Sequence, residues 1–172
     1  IYVDLTDQSQ MWDLARFDAE SKGTSWYDRG ADTTSVFPRH SLIYITAGQD
    51  SVVIYDLDRS KEWMVFIVAS NNIAHGSSWN DIVFLDGVLF GGGNAGLFRI
   101  DFIADAGFQY HDSGQNKYKG NIFQRNDASG LGARGSLAIV NNTVNAISVI
   151  RDPEGAVDAI GRPKQIFVAG TD

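Results

Sequence analysis

The sequence predicts an all-β chain of β-propeller-like repeats, each a four-stranded antiparallel sheet, with about two and a half such blades present. Three observations carry this expectation. The first is an internal repeat. Ser41–Asp56 and Asp86–Asp101 each read as an apolar strand, a Gly-centred turn and a second apolar strand ending in Asp, and Asp101 follows Asp56 at a spacing of 45 residues (101 − 56). Strand–turn–strand repeats of about 40–45 residues are the mark of propeller blades. The second is composition: 18 Gly, 3 Pro and 12% aromatic residues favour strands joined by tight turns, because Gly supplies positive φ and aromatic rings fill half-buried sheet faces. The third is Asp86-Gly87 between two apolar runs, the strongest two-residue hairpin signal.

Residues 1–32 read as a lead-in segment. From Gln10 to Ser21 the apolar residues Met11, Trp12, Leu14, Ala15, Phe17 and Ala19 recur at roughly helical intervals after Ser9, an N-cap residue type, which fits a short helix or a loop. The turn-rich run 22–32 is expected to dock onto the sheets through Trp26-Tyr27. The blades follow over about 33–70, 79–111 and 137–172. The first has strands at Leu42–Thr46 and Val52–Leu57 about a Gly48–Asp50 turn, then the apolar run Trp63–Ala69. The second has Asp81–Leu85, Val88–Phe90, a Gly91–Gly96 turn, Leu97–Ile103 and Phe108–His111. In the third, Val144–Ile147 echoes Trp79–Ile82 and Gln165–Gly170 echoes the Val88 strand, around an exposed, lengthened turn at Arg151–Lys164. Between the last two blades lies a long polar loop, 111–135, which is either a recognition loop on a rigid scaffold or a solvated insertion.

Propellers typically have four to eight blades, so closure is expected from other residues or other chains. The sequence opens on Ile1 and stops at Asp172 partway through a repeat, and it is read as a fragment of a longer protein.

A net charge of −7 argues against non-specific nucleic-acid binding, which needs cations facing phosphates, and against an anionic membrane surface. No apolar run approaches 18 residues, so no membrane insertion is expected. With Cys 0, disulfides and thiolate metal sites are excluded.

Two runs, Gly91–Gly96 and Gly130–Gly135, match the G-x-G-x-x-G pattern. That pattern binds dinucleotides only where it follows a strand and opens a helix. Neither run has that context, so both read as turns and no cofactor is expected. His40, His75 and His111 lie far apart without metal-ligand spacing, and the Asp residues from Asp50 to Asp105 form no EF-hand loop. No metal is expected. Asp56 and Asp101, at equivalent strand ends, are expected to cap turns through nearby backbone amides.

No G-x-S-x-G or Cys nucleophile is present, and Glu20, Glu62 and Glu154 are the only glutamates. No catalytic residue is assigned. Asn141-Asn-Thr143 is a formal N-glycosylation acceptor with meaning only in a eukaryotic secretory setting. Trp63 and Trp79 read as core. The candidate ligand-binding residues are Tyr110, Tyr118, Lys119 and Arg125, in or beside the polar loop and expected to be exposed.

Several short motifs occur in an order that carries a resemblance. They are Val53-Ile-Tyr-Asp-Leu-Asp58 followed by Trp63-Met-Val-Phe66, the hairpin Phe84 to Gly93, the strand Gly96-Leu-Phe-Arg-Ile-Asp-Phe102, and Tyr118-Lys-Gly-Asn-Ile-Phe-Gln-Arg-Asn126. Together, over residues 41–172, they resemble a propeller-like region of virion-associated tail proteins of tailed phages, particularly those of marine and cyanobacterial hosts. The resemblance implies a structural or adhesion component of a virion tail, tail fibre or tailspike, made in the bacterial host cytoplasm. Its partners would be other virion proteins or copies of itself, with a host surface glycan or receptor as ligand, and it supplies no catalytic residues. The rival readings are a propeller-bearing polysaccharide hydrolase or lyase, and a non-viral protein-interaction propeller.

Overall fold

The computed structural model describes residues 3–6 (backbone alone), 11–27 and 36–171. The described residues are predominantly antiparallel β-sheet, 46% strand and 5% helix. The first sheet is ordered β1-β2-β3-β4, from β1 (Val3–Thr6), β2 (Ser41–Ile45), β3 (Ser51–Asp56) and β4 (Lys61–Ile67). The second runs β10-β9-β8-β7-β6-β5, from β5 (Trp79–Leu85), β6 (Val88–Gly93), β7 (Gly96–Asp101), β8 (Ala106–His111), β9 (Gly114–Tyr118) and β10 (Leu131–Gly135). The third is the hairpin β11 (Val144–Arg151) and β12 (Gln165–Thr171). Among the described residues the sheets therefore hold four, six and two strands, where uniform four-stranded units were expected.

The sheets lie in sequence order, with the second between the other two. Alternation in the first sheet turns Ile43, Ile45, Val52, Ile54, Met64 and Phe66 to one side, where they meet Ile82, Phe84, Leu89, Phe98 and Ile100 of the second. The opposite face of the second sheet presents Val88, Phe90, Leu97 and Tyr110 to Val144, Ile147, Val149 and Phe167 of the hairpin. A sheet covered on both faces needs apolar residues at successive positions instead of alternate ones. Accordingly, every residue of β6 is buried.

The first strands of the sheets come together. β5 touches β1 and β2 on one side and β11 on the other. The second contact is stitched by polar bonds, from the Ile147 amide to Asp81 Oδ2 at 2.8 Å and from Asn80 Nδ2 to the Val144 carbonyl at 3.1 Å.

The repeat survives with an offset. β3 and β7 begin and end 45 residues apart (96 − 51 and 101 − 56), but Ser41 opposes Asp56 whereas Val88 opposes Asp101. The first hairpin has a longer turn between Ile45 and Ser51, the second only Asn94-Ala95, so the strands preceding the turns fall out of step. At Asp86-Gly87 both residues have positive φ, 50° and 76°, as the expected tight hairpin turn demands.

The run Gly91-Gly-Gly93 is strand, not turn. A Cβ on Gly91 would meet the Trp79 ring at 2.1 Å, one on Gly92 would meet Val144 at 2.5 Å, and one on Gly93 would meet the Ser78 carbonyl at 2.0 Å. These glycines admit a tryptophan on one face of the sheet and the hairpin on the other.

The polar segment 111–135 is likewise not an irregular loop throughout, because β9 and β10 extend the second sheet from its β8 edge. β9 pairs with β8 and β10 pairs with β9, and polar strands make these backbone hydrogen bonds as readily as apolar ones. Leu131–Gly135 of the second glycine-rich run forms β10, so neither motif opens a helix.

In the expected lead-in, helix α1 (Leu14–Ser21) starts later than the apolar spacing suggested. Its N-cap is Asp13, whose carboxylate accepts from the Arg16 amide at 2.9 Å; Ser9 lies outside the described residues. Phe17 and Trp26 enter the core, and Trp26 Nε1 donates to the Phe102 carbonyl at 2.6 Å.

Candidate functional site

The strand-end aspartates are buried and fully engaged. Asp56 Oδ1 accepts from the Arg59 amide at 3.0 Å and Oδ2 from Arg59 Nη1 at 2.7 Å. Asp101 Oδ1 accepts from the Ile103 and Ala104 amides at 3.1 and 3.0 Å. Both cap the turn that follows, as the sequence predicts.

Asp101 does more. Arg162, from the expected exposed turn, reaches it through Nη1 and Nη2, each at 3.0 Å, and Arg99 Nη2 adds a contact at 2.6 Å. Arg162 also donates through Nε to Asp158 Oδ2 at 3.0 Å. The 151–164 segment is thus pinned down in part, because a carboxylate buried at the end of β7 draws its arginine inward. A second clamp joins Arg151 to Asp86, with Nε–Oδ2 at 2.9 Å and Nη2–Oδ1 at 2.8 Å. Burial alone would raise the Asp101 pKa, but Arg162, Arg99 and the Ala104 amide outweigh it and hold the carboxyl below its ordinary value.

Beside this clamp is a hollow of about 300 Å³ between the second sheet and the hairpin, walled by Phe90, Tyr110, Phe167, Arg99, Arg162 and Lys164. From its rim one cross-strand row of the second sheet runs Phe90, Arg99, Phe108, Lys117 and Gly132, each residue opposite the next. β11 packs on β5 and β6, so this row continues past the hairpin. The Arg99 and Arg134 guanidiniums both lie over the Phe108 ring, at 5.6 and 5.3 Å from its centre. The row ends at a second hollow of about 340 Å³, lined by Lys117, Lys119 and Arg134 with no acidic residue.

A third hollow, of about 510 Å³, is lined by Asn71, His75, Asn94, Gln109, His111 and Asn116 among others. His75 Nδ1 accepts from the Asn71 amide at 3.0 Å, and burial lowers its pKa, favouring the neutral ring. His40 is elsewhere, against Asp58 at 3.0 Å. Among the described residues no three His, Asp or Glu side chains are grouped to hold a metal, and no helix is long and apolar enough to cross a membrane.

Of the four candidates from sequence, Tyr110 and Tyr118 are buried (6% and 1% exposed) rather than at the surface. The Tyr118 hydroxyl lies against the Gln124 and Asp127 carbonyls. Arg125 is half-buried, donates through Nε to the Val65 carbonyl at 2.6 Å and lies over Phe66; burial lowers its pKa. Tyr110, on β8, is covered by Phe167 of the hairpin, whereas Tyr118 and Arg125 are drawn inward because β9 and the segment after it pack on the core. Lys119 is exposed at the rim of the Lys117–Arg134 hollow. Sequence reasoning missed Arg99, Phe108, Lys117 and Arg134. Only the strand register brings them together, and the signal available was cation and aromatic alternation at matching positions of neighbouring strands.

No family model, curated protein or solved structure matches the chain.

Proposed function

We propose that this chain is a structural and adhesion component of a phage virion, part of a tail, tail fibre or tailspike, and that its sheets are blades of a propeller-like scaffold. The observation that carries the scaffold reading is the meeting of first strands, with β5 between β1 and β11, the arrangement expected where blades pack face to face around an axis. The apolar outer face of the hairpin, with Ile150, Ile166 and Val168 between 45% and 65% exposed, suits a further sheet packing there. The viral setting is supported by the motif resemblance over residues 41–172.

A non-catalytic role fits the fate of the carboxylates. In enzymatic propellers carboxylates and cations surround the channel lined by the first strands. Here Asp101 sits at the end of β7, takes up two arginines and two amides, and has its pKa pushed down, the opposite of a general acid.

Antibodies against this chain should label the tails of particles carrying it, and its gene should stand among tail genes. Labelling absent from intact particles would contradict the viral role. Steady release of reducing ends from host polysaccharide, abolished by carboxylate substitution, would establish the enzyme instead.

A further inference from the structure

We infer that the row Arg99–Phe108–Lys117, with Arg134, Lys119 and Lys164 about its ends, is a binding track for an acidic polysaccharide, one bearing carboxylates on its sugars. This deepens the adhesion reading above and rests on it for biological context, though the track is testable alone.

The charge distribution is the first argument. The protein carries −7 overall, yet this strip gathers Arg99, Lys117, Lys119, Arg134, Arg162 and Lys164, six of its 14 Lys and Arg. The carboxylates beside it, Asp101 and Asp158, are taken up by Arg99 and Arg162. Lys117, Lys119, Arg134 and Lys164 have no ion-pair partner among the described residues. Cations clustered without counter-charges raise the local positive potential and draw anions to it.

Geometry narrows the anion. Phe108 holds the Arg99 and Arg134 guanidiniums over its ring, which orders them; Arg99 is engaged with Asp101, while Arg134 keeps an N–H edge for the bidentate bonds that carboxylates accept. Neighbouring strands are about 4.8 Å apart, so Arg99 and Lys117, two strands apart, are separated by roughly 10 Å, about the length of a disaccharide. Duplex DNA carries a charge about every 1.7 Å along its axis, far denser than this track and more strongly repelled by the rest of the molecule. The hollows at either end, about 300 and 340 Å³, each suit one or two sugar rings. Phe90, Tyr110 and Phe167 wall the first with apolar surface for the carbon face of a pyranose.

The test is calorimetric titration of the purified chain with oligogalacturonate, with carboxyl-reduced oligosaccharide, polyglutamate and single-stranded DNA as comparisons. The track predicts binding of the uronate, none of its neutral counterpart, and weakening as salt rises. Lys117→Ala and Arg134→Ala should each weaken binding at least about tenfold, the loss of one charge-assisted contact, with circular dichroism and melting unchanged. Lys119→Ala, at an exposed side chain, gives a further variant with little bearing on folding. Failure to bind the uronate, binding indifferent to all three substitutions, or equal binding of polyglutamate or DNA would each overturn the assignment. Uronate binding by a chain absent from virions would instead remove the viral reading and leave the track standing.

Discussion

At the scale of single residues, small groups decide how closely layers approach. Gly91 has no side chain because the Trp79 ring occupies that space, so Gly91→Ala forces a carbon to 2.1 Å from the indole. Denaturant unfolding should show a loss of about 1–3 kcal/mol, the usual range for overpacking. Asp101 is the matching case in electrostatics. Removing one partner of a buried ion pair leaves the other unsatisfied, so Asp101→Asn should cost about 3–5 kcal/mol. Because its folded pKa lies below the unfolded value of about 3.9, the contribution is complete above that pH and lost as pH falls through the folded value. Acid titration of the wild type should therefore lower stability below about pH 4, and this slope should flatten in Asp101→Asn.

At the scale of elements, the strands with strong apolar content were legible in the sequence and the polar ones were not. β3 and β7 declare themselves by β-branched and aromatic residues, and the turn between β5 and β6 by Asp86-Gly87. The Gly91–Gly93 stretch reads as a turn because glycine signals turns locally, and only a neighbouring layer reveals why a strand needs it. β9 and β10 carry no apolar alternation, since β9 is ordered by the edge of β8 and β10 by β9. The insertion between β11 and β12 has the composition of a solvated turn, yet Arg162 is drawn to a carboxylate 61 positions earlier (162 − 101). The Asp101–Arg162 clamp ties the insertion of the hairpin to the middle sheet. As pH falls through the lowered folded value of Asp101, hydrogen exchange should quicken in β11–β12 before it quickens in β6 and β7, which are buried between two layers.

At the scale of the molecule, the serial stacking of three sheets, with first strands together, is what the remaining structure depends on. The repeat at 45 residues made successive antiparallel sheets predictable. It did not reveal that the middle sheet has six strands among the described residues, or that the row of cations and Phe108 comes from strand register instead of loop sequence. Function is less legible than fold for the same reason: Arg99, Phe108, Lys117 and Arg134 are unremarkable in sequence and become a set only across four strands. The chain has no cysteine, so paired cysteines report on the stacking without interference. Asn80 of β5 and Asn145 of β11 approach to 3.5 Å between Nδ2 and Oδ1, whereas Ser148 is exposed on the outer face of the hairpin. Under mild oxidation the Asn80→Cys/Asn145→Cys variant should cross-link faster than Asn80→Cys/Ser148→Cys. A folded Asn80→Cys/Asn145→Cys variant that cross-links no better than the Ser148 pair would contradict the stacking of the hairpin on the first strand of the middle sheet.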